Sequence, residues 1–146
     1  MTTKREDVLQ ALTTALAGLS ATVMRSESLP QDMPPGGLVA VRNGSVGPNG
    51  PPTINPVVYD WEHVAELDIL VPRAAGEDSA EAEIRLDTLL EAVGQAIEAD
   101  DTLGGAVDYA EAQSPQTSQL ATDGAPEIRA AVVPVALWYS SSNPLT

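Results

Sequence analysis

This sequence contains no cysteine and no phenylalanine, and only 3% of its 146 residues are aromatic. Without cysteine, neither a disulfide framework nor a thiolate metal site can form. Without phenylalanine and with so few aromatic rings, the core has to be built from aliphatic side chains.

Basic residues are also scarce, since 7 Lys and Arg stand against 21 Asp and Glu, for a net charge of −14. The seven cations are scattered along the chain. Because affinity for phosphate comes from clustered Lys and Arg, this composition argues against a surface that grips nucleic acid.

Long hydrophobic runs are missing as well. No apolar run approaches the ~18 residues of a membrane span, and "MTTKREDVLQ" becomes amphipathic too early for a signal peptide. We therefore expect no membrane association and no targeting segment. The length suits one domain, residues 1–146.

Two segments have the apolar spacing of amphipathic helices. In "TKREDVLQALTTALAGL", Thr3 and Glu6 form a capping box and Gly18 is a candidate stop. The second helix, "GEDSAEAEIRLDTLLEAVGQAIEADD", opens at Asp78 or Ser79. The apolar stripes are Val8, Leu9, Leu12, Leu16 and Leu19 in the first helix, and Leu86, Leu89, Leu90, Val93 and Ile97 in the second.

Five segments favour strands: "ATVMRSE", "LVAVRNG", "VVYDWEHVAELDILV", "GGAVDYAEA" and "EIRAAVVPVALWYS". The third is either one long bent strand or two strands in succession. In the third, apolar residues from Ala65 to Val71 alternate with Glu66 and Asp68, which predicts one buried and one wet, acidic face. Polar connections at about 43–56 and 113–126 predict long loops. Helices and strands do not alternate regularly, so we predict an α+β fold with a largely antiparallel (mixed) sheet and both helices on one face.

The closing strand has two apolar faces and a proline in its middle. Its second face carries Val132, Pro134 and Trp138, and helices on one side of the sheet would leave that face uncovered. One hypothesis is that another protein chain covers it. The alternative is that Pro134 marks a bulge and that the long loops fold over this face.

The sequence contains no strong candidate for a chemical site. His63 is predicted to be a surface or half-buried structural residue, because no nucleophile or orienting acid can be placed beside it. The acidic residues around Glu98 and Asp101 lack the ligand spacing of a calcium loop and favour a solvated helix end. We predict no catalytic, cofactor-binding or metal-binding residues, and hence no enzyme.

The chain resembles a known family in its order of elements and in five segments. These segments are "VLQALTTALAGL", "LVAVRNG", "VYDWEHVAELDILV", "LDTLLEAVGQAIEADDTLGGAVDY" and "EIRAAVVPVALWYSSSNPL". They are similar to the tail terminator proteins of long-tailed bacteriophages and of the phage-derived gene transfer agents of alphaproteobacteria. The resemblance covers most of the chain, although the Pro/Gly-rich segment Asn43 to Pro56 departs from the lambda-like members.

The resemblance implies a structural subunit of a virion or virion-like particle, assembled in the bacterial host cytoplasm and placed in its tail-neck region. Such subunits form a homo-hexameric ring that caps the completed tail tube, stops its polymerisation and meets the head-tail connector protein. DNA passes through the ring without specific binding, and an acidic lumen would repel its phosphates. Alternatives are another connector or neck subunit, a small enzyme, or a monomeric binding module.

Under this hypothesis we assign contact and lumen residues. The subunit or tube interface would include Val132, Pro134, Trp138, Tyr59 and Trp61, and the lumen would be lined by Glu66 and Asp68. The two long loops would order at the tube or connector interface.

Overall fold

The first predicted helix forms in the computed structural model, which describes residues 3–25, 34–73, 76–120 and 128–145. Helix α1 spans Lys4–Leu16, and the Thr3 hydroxyl accepts a hydrogen bond of 3.2 Å from the Glu6 amide, which confirms Thr3 as the N-cap. The Glu6 carboxylate pairs with Arg25, so only the Thr3 half of the predicted capping box forms in the described residues. The helix ends before Gly18, because the Ala17 amide already closes its last turn on the carbonyl of Thr14.

The second helix, α2, spans Ser79–Ala99 and is capped by Asp78, whose carboxylate accepts a hydrogen bond of 2.8 Å from the Glu81 amide. Four residues of each predicted stripe are buried, while Leu19 and Leu90 are partly buried. The buried members are Val8, Leu9, Leu12 and Leu16 in α1, and Leu86, Leu89, Val93 and Ile97 in α2.

Six strands form one mixed sheet, as predicted for the fold class. They are β1 Thr22–Arg25, β2 Leu38–Pro48, β3 Tyr59–Pro72, β4 Tyr109–Ala112, β5 Gln116–Leu120 and β6 Ile128–Ser141. The order across the sheet is β1-β2-β3-β6-β4, and β5 also pairs with β6. Only β1 and β2 are parallel, and a short 3₁₀ turn, Leu103–Gly105, precedes β4.

Both helices pack on one face of this sheet, the helix face. The odd-numbered residues of β3 and β6, such as Leu67 and Val133, point into a single aliphatic core together with the stripes of α1 and α2. The opposite side, which we call the open face, carries the even-numbered residues of β3 and β6. A smaller buried cluster of Leu38, Leu70 and Ala130 lies at one end of the open face.

The two predicted loops are shorter than expected. Strand β2 continues to Pro48, because Asn43 and Gly44 form a bulge inside the strand instead of a turn that ends it. Two residues of β2 there stand opposite one residue of β3, and pairing resumes at Ser45. The second predicted loop contains β5, which hydrogen-bonds to β6, and its residues 121–126 lie outside the described residues.

Candidate assembly interface

Half-buried apolar side chains of β6 lie on the open face of the sheet, where the sequence places them. Val132, Pro134 and Trp138 are each only partly buried there, whereas Ala136 between them is fully buried. Their partners on β3 are Asp68, Glu66 and Glu62, respectively. The open face therefore carries an apolar strip with carboxylates beside it on β3.

Pro134 does not mark a bulge, because β3 and β6 keep one uninterrupted register from Tyr59↔Ser141 to Pro72↔Ile128. The Pro134 carbonyl accepts a hydrogen bond of 2.8 Å from the Gln113 amide. Since the amide and carbonyl of one strand residue point to the same side, the Pro134 nitrogen faces residues 113–115, the break between β4 and β5. The proline occupies the position where a missing N–H costs no ladder hydrogen bond.

The acidic residues of the open face are partly compensated by an arginine that the sequence reasoning missed. Arg42 of β2 lies 3.5 Å from a carboxylate oxygen of Glu66 and 3.4 Å from one of Asp68. Arg42 stands opposite Glu66 in the register, so it shares their face of the sheet. One cation between two carboxylates leaves this group with a net negative charge, but Glu66 and Asp68 are not isolated acids.

An aromatic pair extends the apolar strip toward the edge strand β4. The rings of Tyr109 and Trp138 are stacked, with centroids 5.7 Å apart and an interplanar angle of 23°. Tyr109 is 44% exposed. No local pattern in the sequence predicts this pair, because the register between β4 and β6 depends on contacts far apart in the chain.

Tyr59 and Trp61 do not share a surface with the other three assigned interface residues. They have odd numbers in β3 and lie on the helix face, stacked with centroids 6.1 Å apart. The Trp61 indole N–H donates a hydrogen bond of 2.9 Å to the Ser141 hydroxyl. The structure thus divides the assigned residues between the two faces of the sheet.

The hairpin between β2 and β3 exposes apolar side chains at its tip. Ile54 is 76% exposed and Val57 is 44% exposed, beside a bridge between Thr53 and Val58. Leu145, which is 74% exposed, follows β6 at the same end of the sheet, where Ser141 pairs with Tyr59. This end of the molecule presents an apolar surface to solvent.

The single histidine is fully buried, whereas the sequence predicted a surface or half-buried position. The Asn43 carbonyl can only accept a hydrogen bond, so Nε2 of His63 donates to it and Nδ1 accepts from the Tyr139 hydroxyl at 3.0 Å. Burial lowers the pKa of His63 below its ordinary value of 6.5. Both ring nitrogens are engaged, and His63 fixes the β2 bulge to β3 and β6.

Within the described residues, no group of three His, Asp or Glu side chains is placed to hold a metal ion. None of the described helices has the length and apolarity needed to cross a membrane. Comparisons with known protein families and with curated protein sequences find no match for this chain.

Proposed function

We propose that this protein is a tail terminator subunit: copies form a hexameric ring on the tip of a completed tail tube, stop its growth and join it to the head-side connector. The sequence resemblance suggests this assignment, and the α+β fold is compatible with it. The protein would then reside in the tail-neck region of a virion or virion-like particle.

The observation that carries the proposal is apolar surface at two places in the described part of the subunit, partly accessible to solvent at the first place and exposed at the second. One place is the strip of Val132, Pro134 and Trp138 on the open face, and the other is the hairpin tip with Ile54 and Val57. Monomeric proteins usually keep such patches small, and larger ones mark contact sites. An assembly subunit has a physical reason to keep both.

The charge distribution supports passage of DNA through such a ring. A net charge of −14 repels phosphate, and Glu62 on the open face is exposed. Glu66 and Asp68 remain candidates for the lumen, although Arg42 reduces their local field. An acidic wall of this kind would let DNA slide without specific binding.

The experiment is to add the purified chain to growing tail tubes from the same particle and to image them by negative-stain electron microscopy. We expect a six-fold ring at one tube end and no further elongation of capped tubes. A chain that leaves tube growth unchanged and never appears at a tube end would contradict the proposal.

A matched pair of variants tests the hairpin tip as a tube contact. Ile54→Ser with Val57→Ser should reduce capping, because it removes exposed apolar area without touching the core. Ile84→Ser on α2, where the side chain is 65% exposed, removes a similar group elsewhere and should cap normally.

A further inference from the structure

We propose that neighbouring copies of this chain join head-to-tail through two clefts of opposite charge at opposite edges of the sheet. In this contact, Lys4 and Arg5 of one copy lie against the acidic cleft beside β4 of the next copy. The inference rests on the proposed ring, because it names the surfaces that would hold that ring together.

Lys4 and Arg5 are distinctive among the cations of this chain. Four arginines have carboxylate partners within 4 Å: Arg25 with Glu6, Arg42 with Glu66 and Asp68, Arg85 with Glu77, and Arg129 with Glu83. Within the described part of the chain, neither Lys4 nor Arg5 makes an ion pair. Two adjacent cations that make no ion pair with any described residue point to a carboxylate supplied by a neighbouring copy.

Arg5 lines a cleft of about 510 Å³ at the free edge of β2, together with Glu6, Asn43, Val46 and His63. The Glu6 carboxylate there is paired with Arg25, so the guanidinium of Arg5 is the unmatched charge of the cleft. Strand β1 pairs only with Leu38 to Val41, so the second half of β2 has no further described strand beside it. The bulge and the exposed side chains of this half keep it from extending the sheet in register. We call this the β2-edge cleft.

A second cleft, of about 290 Å³, lies at the other edge of the sheet and is acidic. It is lined by Glu98 and Asp101 after the end of α2, and by Tyr109 and Glu111 of β4. These three carboxylates are exposed and make no ion pair with any described residue. The exposed Tyr109 ring adds an aromatic face on which a guanidinium can stack. We call this the β4-edge cleft.

The positions of the two clefts favour a ring. Strands β3 and β6 lie between β2 and β4, so the two clefts occupy opposite sides of the subunit. A contact that joins two different surfaces is heterologous, and it generates a closed ring when its rotation closes. A twofold dimer would instead need both clefts within one self-complementary surface, and clefts on opposite sides of the subunit cannot share one.

The test uses charge reversal and mixing. One variant carries Lys4→Glu and Arg5→Glu, and the other carries Glu98→Lys and Glu111→Lys. The first variant should keep helix α1, because acidic side chains are favourable in the first turn of a helix. The second variant changes only exposed side chains. Sedimentation velocity at low salt measures the self-association of each variant, of the wild type and of an equimolar mixture of the two variants.

We expect the wild type to associate, with an affinity that falls as salt rises. Each variant alone should associate at least about a hundredfold more weakly, because its two clefts then carry charges of the same sign and repel each other in the contact. The mixture should recover assembly, since each reversed cleft meets a reversed partner in an alternating ring. The control Asp87→Lys with Glu91→Lys makes the same charge change on the exposed side of α2 and should associate like the wild type.

Three results would overturn the inference: a wild type that stays monomeric, variants that assemble like the wild type, or folded variants whose mixture stays dissociated. If a variant does not fold by circular dichroism, Arg5→Gln and Glu111→Gln replace it, and each must lower the salt dependence of association. None of these results decides whether the chain caps tubes, which the tube experiment measures separately.

Discussion

The Nδ1 atom of His63 lies 3.0 Å from the hydroxyl oxygen of Tyr139, and the two side chains are buried side by side. Burial raises the pKa of Tyr139, so its hydroxyl stays protonated and donates to His63. On its other side, the imidazole donates to the Asn43 carbonyl. This chain of hydrogen bonds connects the β2 bulge to β6 across β3.

The first prediction concerns pH. Because burial lowers the pKa of folded His63, the unfolded chain binds a proton more readily as pH falls below about 6.5. The free energy of unfolding should therefore fall toward acid, with a slope from this group of up to about 1.4 kcal/mol per pH unit. The slope should vanish below the folded pKa. Urea unfolding between pH 7.5 and 5 measures it.

The variant His63→Gln separates this effect from that of the carboxylates, because an amide can donate and accept but does not titrate in this range. The difference in unfolding free energy between wild type and variant should shrink as pH falls. A difference that stays constant from pH 7.5 to 5 would contradict the assignment of a buried, neutral His63.

The second prediction concerns the glycine of the β2 bulge. Gly44 has φ of 63°, and a Cβ added to it would overlap the carbonyl of Val64. Gly44→Ala should therefore lower the free energy of unfolding by more than the ~1–3 kcal/mol of a strained backbone conformation alone. Gly47→Ala in the same strand meets no atom within 4 Å and should leave stability unchanged or raise it by up to about 1 kcal/mol. Equal losses in both variants would contradict the bulge geometry.

The third prediction concerns the proline of β6. Pro134→Val should change the free energy of unfolding by less than about 1.5 kcal/mol, because the new N–H faces the break between β4 and β5. Val133→Pro should cost about 3 kcal/mol or more, since the Val133 amide points to the opposite side and pairs with Leu67 of β3. Thermal unfolding of both variants measures the two changes in stability. If Val133→Pro proves more stable than Pro134→Val, the orientation assigned to the Pro134 nitrogen is wrong.

The fourth prediction concerns Arg25, which connects three elements. Its guanidinium lies 3.0 Å from a Glu6 carboxylate oxygen of α1, and it donates to the Val41 carbonyl at 2.9 Å and to the Asn43 side chain at 2.6 Å. A double-mutant cycle of Arg25→Gln and Glu6→Gln should give a coupling of about 0.5–1 kcal/mol, because both side chains are partly exposed.

The same pair has a pH dependence of its own. The hydrogen bond from Arg25 holds the pKa of Glu6 below its ordinary value of 4.5. The coupling energy between Arg25 and Glu6 should keep its full value above pH 4.5. It should disappear as pH falls through the pKa of Glu6 in the folded chain, which is lower than 4.5. Coupling that persists after Glu6 is protonated, or that rises with added salt, would contradict an ion pair.

The helices and the two faces of β3 could be predicted because their signals are local. The periodic leucines of α1 and α2 and the alternation around Glu66 and Asp68 each lie within one element. The fold class followed from the order of those elements. These parts of the prediction needed no knowledge of which strands pair.

The lengths of β2 and β5 could not be predicted, because they depend on pairing between distant segments. Asn43-Gly44 is a turn signal in the sequence, yet pairing with β3 converts it into a bulge. The ion pair of Arg42 with Asp68 and the stack of Tyr109 on Trp138 depend on register in the same way. From the sequence, Tyr59 and Trp61 are assigned to the same interface as Trp138, although their positions in β3 place them on the other face of the sheet.

The most direct test of the tail terminator proposal is the length distribution of tails in particles whose gene for this chain has been deleted, measured by electron microscopy. The proposal predicts tails of uncontrolled length that fail to join heads, with normal length restored when the wild-type chain is supplied. Tails of normal, uniform length joined to heads in the deletion strain would contradict it.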